Sequence, residues 1–283
     1  MTMVTESLVR RVIAVVDAGL VSAEWELGPY PGRLSAAGAV CYAAGRSFGG
    51  QPSEITPAVR GLMRALNNAN WSSPMARARG LRRLIVASLG SQGVVGEAAF
   101  ARRVARLAAQ WGVPRALRVA AQFCASEDRD WMLNLADLCA REPTYEHVWE
   151  ARTVAHSVAK DRASSAAADV AAEAFWCINN ACVALAGAGS ALDRTPYDIP
   201  AYNAASNAGW TASAYAETCA LAVAYTVAGT RNDAAARAAY DAALEAFADL
   251  VAQLLGDMGS PGAAYLHITD CDARHRAGLD VTA

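Results

Sequence analysis

The chain has 283 residues, 54% of them hydrophobic and 18% charged, with a formal net charge of −2. That length can bury roughly three quarters of the unfolded surface, as one large domain or about two smaller ones. With Lys160 its only lysine, no apolar run of roughly 18 residues and no basic-then-apolar start, it reads as neither a binder of extended nucleic acid, nor a membrane span, nor an exported protein.

Helix signals follow one another almost without interruption, and no stretch alternates in the manner of a half-buried strand, so the expected fold is all-α. The hydrophobic fraction is inflated by alanine, which lets helix axes approach closely. The first helix runs from Glu6 under a Thr5 cap, turns Leu8, Val9, Val12, Val15 and Val16 to one side, and stops at Gly19. A loop with Trp25 and Gly28-Pro29-Tyr30-Pro31-Gly32 follows, then a short helix from Ser35 to Gly45. Thr56 and Pro57 open a helix through Leu66, and Ser73 and Pro74 repeat that start for an arginine-bearing helix ending at Gly90.

Further helices are expected over 97–111, 114–124 and 127–140, the last under a Ser126 cap, with breaks at Pro114 and Pro143. From Thr144 onward the expected helices are long and alanine-dense: to about 160, then 163–186, 200–228 and 233–255. Helix 163–186 shows two apolar faces, one with Phe175, Ile178, Cys182 and Leu185, the other with Trp176 and Val183. It therefore reads as the central buried helix, which leaves Asn179 and Asn180 in need of buried partners. The sum is a bundle of about nine to eleven helices. Aligning Trp71 with Trp210 without gaps also pairs Asn68 with Asn207, Ser72 with Thr211 and Gly90 with Gly229, which leaves two similar packed halves open.

Charge divides the chain. Residues 1–124 carry 15 arginines and 6 acids, net +9, whereas residues 125–283 carry 10 bases and 21 acids, net −11. We read 1–125 as a basic half, 126–143 as a soft boundary and 144–283 as an acidic half. Either the halves dock on each other or the basic one faces an anionic partner. The seven cysteines (41, 124, 139, 177, 182, 219, 271) form no Cys-x-x-Cys pair, which suits reduced thiols in a cytoplasm.

Polar chemistry is densest where Asn67-Asn68-Ala69-Asn70-Trp71-Ser72-Ser73-Pro74 meets the arginine helix. Arg60, Arg64 and Asn67 share one face of the preceding helix. On the next helix Ala78, Leu81, Leu84, Ile85 and Leu89 mark the core side; Arg79 and Arg83 point outward, Arg82 lies at the border, and Arg77 falls inside the apolar arc near the N-terminus. A cation there needs an anionic partner. One reading is a pocket in which Arg60, Arg64, Asn67, Asn70 and Arg77 hold a small anion, with Trp71 as a stacking face for a nucleotide-like ligand. The other pairs Arg77 with an acid of the second half, leaves Trp71 in the core and has the asparagines shape a turn. No Gly-rich phosphate loop is present.

His267, Cys271 and His275 would share one face of a C-terminal helix, but they do not close a tetrahedral site unaided, so no metal and no cofactor are expected. Cys271 with His275 lacks an oxyanion hole, and Glu146 and Glu150 have no histidine three residues on, so no catalytic residues are assigned.

Val40-Cys41-Tyr42-Ala43, Thr56-Pro57-Ala58-Val59-Arg60, the Leu66 to Ser73 stretch, Arg77, Gly80-Leu81-Arg82-Arg83-Leu84 and Leu89-Gly90-Ser91 together resemble a group of alanine-rich helical proteins of bacteria and their tailed phages. The resemblance covers the first third, and Arg46-Ser47-Phe48-Gly49-Gly50 departs from it. It implies no reaction, but a setting of phage and host conflict in which small proteins act by binding. The second half is faintly similar to helical toxin-immunity proteins. The resulting expectation is a non-enzymatic binding protein for a small anionic molecule such as a nucleotide signal. Alternatives are an immunity-type interaction module using the acidic half, or a thiol or metal enzyme using the tail. Flat alanine-rich faces suggest a homo-oligomer.

Overall fold

A computed structural model describes residues 3–23, 28–47, 51–161, 166–191, 198–226 and 233–269. Among them are ten α-helices and no strand: α1 Glu6–Val16, α2 Ala36–Ala43, α3 Pro57–Asn68, α4 Pro74–Ser88, α5 Glu97–Ala121, α6 Ser126–Arg141, α7 Tyr145–Asp161, α8 Ala166–Ser190, α9 Ile199–Thr226 and α10 Asp233–Asp257, followed by a 3-10 turn at Pro261–Tyr265. The protein is an all-α multi-helix bundle.

Local signals set the first four helices. The hydroxyls of Thr5, Ser35 and Ser73 accept from the amides of Leu8, Gly38 and Ala76, satisfying first-turn donors that the helix itself leaves open. Gly19, Gly45 and Gly90 follow α1, α2 and α4 with φ of +102°, +73° and +74°, the left-handed region that glycine occupies without cost.

Three expectations change. Pro114 does not end a helix: α5 runs through it, giving up one backbone bond to Gln110. Packing keeps the segment helical, because Gly112 lies so close to α8 and α9 that a Cβ there would sit 3.1 Å from Thr211 and 3.5 Å from Cys177, while Val113, Pro114 and Leu117 are buried. Ser126 is not a cap but the first residue of α6; Ala125 stands before it without a side-chain bond. The central helix is α9, which packs against α3, α5, α8 and α10, not α8. Trp176 and Val183 of α8 are about half exposed, at 52% and 46%. Asn179 is half-buried and accepts from Arg152 Nε at 2.8 Å.

By length and composition α8 is apolar enough to cross a membrane, although no unbroken apolar run was expected to reach that length; here Ala171, Ala174, Cys177, Ile178 and Ala181 form a buried core face. Small residues bring α9 close to α3. A Cβ on Gly61 would lie 2.7 Å from the Tyr202 carbonyl, and one on Gly209 would lie 2.7 Å from Ala65. The core has two clusters that divide along α5: one joins α1–α4 with α9 and α10, the other gathers α6, α7 and most of α8. Trp111 stands between them, 4.8 Å from the Tyr215 ring and 5.3 Å from Phe247.

The basic and acidic halves do dock. Arg79 and Arg83 of α4 reach Glu245 at 3.6 Å and Asp249 at 3.1 Å on α10, contacts that set register more than stability at a surface. The Trp71–Trp210 alignment is not matched in three dimensions, since Trp71 lies in the α3–α4 turn and Trp210 in mid-α9.

Candidate functional site

The turn between α3 and α4 is built by side chains that spend their polar groups on neighbouring backbone. Asn67 is buried; its Oδ1 accepts from Ala36 N at 3.1 Å and its Nδ2 donates to Val21 O at 3.0 Å. Asn68 Oδ1 accepts from Ala23 N at 3.0 Å. Trp71 is 6% exposed, donates Nε1–H to Leu66 O at 2.8 Å and covers Gly80, so it offers no stacking face.

The same turn grips α10. Tyr240 Oη accepts from Asn70 N at 3.0 Å and bonds with Ser213 Oγ, while Asp241 accepts from both the amide and the hydroxyl of Ser72. Burial raises the Tyr240 phenol above its ordinary range, which keeps it neutral.

The hydrogen bonds of Arg77 go to backbone, with Asp241 of the second half near by. Arg77 Nη1 donates to Leu20 O at 3.0 Å and its Nη2 to Ala69 O at 3.4 Å, so among the described residues its hydrogen bonds tie two chain segments through carbonyl oxygens. Desolvation lowers its pKa, opposed by the nearby Tyr240 and Asp241. Arg82, expected at the border, is the deeply buried arginine at 7% exposure, paired with Asp17 at 3.2 Å.

Arg60, Arg64 and Asn67, at i, i+4 and i+7 on α3, do come together. With Ser35, Ala36 and Ala37 from the start of α2, Gln51 and Pro52 from the loop before α3, Ala23, Met63 and Tyr202 of α9, they line a cleft of about 140 Å³. Arg60 Nη1 donates to Pro52 O at 3.1 Å, which fixes that wall. Arg64 is exposed and has no hydrogen-bonding or ionic partner among the described residues. The described lining contains no acid. The Ala37 amide, in the first turn of α2, also has no acceptor there, whereas Ala36 N and Gly38 N are taken by Asn67 and Ser35. Asn67 shapes the cleft but has no amide group to spare.

The six candidates thus separate. Arg60, Arg64 and Asn67 border the cleft; Trp71 and Arg77 bond to backbone oxygens of the turn and its neighbours; Asn70 lies on a different groove, between α9 and α10, where Glu217, Asp233 and Arg237 make a mixed-charge lining. Gln51, Ala37 and Tyr202 had no sequence signal, because only the folded chain brings α2 and α9 to α3.

His267 Nδ1 lies 3.0 Å from Ala264 O; Cys271 and His275, like Trp25, lie outside the described residues. Among the described residues no group of three His, Cys, Asp or Glu side chains could hold a metal ion. The Cys139 and Cys182 thiols are pushed up by burial to about 12 and about 11, and Cys177 still higher, the opposite of what a nucleophile needs.

A second surface feature lies on α7 and α8. Tyr145 stacks on Trp149 at 5.9 Å, the Arg152 guanidinium sits 4.7 Å from Trp149 and 5.0 Å from Phe175, and Phe175 meets Trp176 edge-on at 5.3 Å. Tyr145, Trp149 and Trp176 remain 41%, 47% and 52% exposed. Comparison of the chain with protein-family models, curated proteins and solved structures gives no match.

Proposed function

We propose that the chain is a non-enzymatic binding protein that takes up a small anionic molecule in the cleft between α2, α3 and the start of α9. The observation that carries this reading is Arg64: a partnerless guanidinium, among the described residues, at the edge of an apolar cleft whose described lining holds no acid. Arginine is the side chain best suited to planar, two-point recognition of a carboxylate or phosphate. A nucleotide signal would enter by its phosphate, since Trp71 is buried and unavailable to a base. The N-terminal resemblance supports sequestration in phage and host conflict, the free thiols among the described residues a reducing cytoplasm, and the flat alanine-rich helix faces a homo-oligomer. Native protein purified from its source, heat-denatured and analysed by mass spectrometry, should release a small anion that Arg64→Met protein lacks; no anion from either, or equal amounts from both, removes the proposal.

One observation favours a second reading, the interaction module. The exposed Tyr145, Trp149 and Trp176 ladder lies in the acidic half beside Glu146 and Glu150, a combination suited to a basic protein surface. Such a partner should be lost on Trp149→Ala with Trp176→Ala and weaken with salt; binding that ignores both changes excludes this surface.

A further inference from the structure

We infer that the ligand of this cleft is a small monocarboxylate with a compact apolar body of about six carbons, an inference that rests on the anion-binding reading above. Geometry sets the head group. Arg64 has no partner among the described residues, whereas the Arg60 guanidinium, although it keeps its charge, is held on Pro52 O, so one planar fork is left to turn onto the ligand, and it matches the two oxygens of a carboxylate. The Ala37 amide adds a donor suited to a carboxylate oxygen, and the exposed Gln51 amide, which makes no bond within the described chain, adds another on the loop side.

Size sets the body. The cleft measures about 140 Å³, and an apolar cavity of about 150 Å³ is known to hold benzene. Met63, Pro52 and the half-buried Tyr202 supply the apolar walls. A nucleoside is well above that volume, and inorganic phosphate would leave those walls bare.

Calorimetric titration of the full chain with benzoate tests this, with benzyl alcohol, inorganic phosphate and adenosine monophosphate as comparison probes. Benzoate should bind one to one with a dissociation constant in the millimolar range or tighter. Benzyl alcohol, which keeps the ring and loses the charge, should bind at least about tenfold more weakly, as should benzoate to Arg64→Met. The exposure of Arg64 leaves the fold of that variant intact, which circular dichroism verifies. If phosphate or the nucleotide binds in an Arg64-dependent way and benzoate does not, the monocarboxylate inference is overturned while the anion-binding reading stands. If no probe binds, or Arg64→Met changes nothing, both fall.

Discussion

Gly80 and Trp71 provide a test of the claim that the α3–α4 turn is scaffold. Alanine is favoured over glycine inside a helix by about 0.8–1 kcal/mol, so Gly80→Ala in mid-α4 should stabilise the protein if nothing opposes it. Trp71 opposes it. A Cβ at Gly80 would lie 2.3 Å from Trp71 Cη2 and 2.4 Å from Cζ3, and the third nearest atom, Trp71 Cζ2, is already at 3.4 Å. The ring is 6% exposed and anchored by its bond to Leu66 O, so it cannot swing aside freely. Overpacking of that kind costs about 1–3 kcal/mol, which outweighs the helix gain and makes Gly80→Ala destabilising by up to about 2 kcal/mol. Trp71→Phe removes the clashing atoms. It destabilises on its own account, because Leu66 O loses its donor and the slot is underfilled, but in that background Gly80→Ala should recover about 0.8–1 kcal/mol. Urea unfolding followed by far-ultraviolet circular dichroism on the four proteins gives the coupling directly. A Gly80→Ala variant that stabilises with Trp71 present, or one equally harmful with phenylalanine there, refutes the packing argument.

Other consequences are independent of that pair. Asp17→Asn should lower stability by about 1–3 kcal/mol in the same urea assay, since it removes a charge-assisted hydrogen bond from an arginine buried at 7% exposure. Glu173 has its pKa raised, by burial first and by Glu217 second, so the folded state holds its proton more tightly than the unfolded chain does. Stability from this residue is therefore full below the ordinary carboxyl pKa and is lost as pH rises through the raised one, so Glu173→Gln should stabilise at neutral pH and make no difference in acid. Cys139, Cys177 and Cys182 should resist iodoacetamide in native protein and react fully in urea, as mass spectrometry of tryptic peptides would show.

What could be read from the sequence was what neighbouring residues decide. Thr5, Ser35, Ser73 and Pro74 place helix starts because a cap or a proline acts within one turn. The spacing of Arg60, Arg64 and Asn67 gives a shared face for the same reason. Pro114 misleads because its local penalty is outweighed by packing of α5 on α8 and α9, where Gly112 meets Cys177 and Thr211, 65 and 99 residues further along the chain. The partners of Arg77 could not be read at all: a helical wheel shows that a cation faces inward, but the Leu20 and Ala69 carbonyls that receive it belong to backbone and leave no trace in residue types. Tyr202 reaches the cleft only through the close α3–α9 approach at Gly61.

Anion binding should belong to the cleft beside Arg64 and not to the turn that holds Arg77. Calorimetric titration of benzoate into Arg64→Met and Arg77→Met proteins, side by side with the unaltered chain, separates the two. Arg64→Met should weaken benzoate binding at least about tenfold with no loss of stability, whereas Arg77→Met should lower stability by about 1–3 kcal/mol and leave the dissociation constant unchanged. Benzoate binding that survives Arg64→Met and disappears in folded Arg77→Met protein would contradict it.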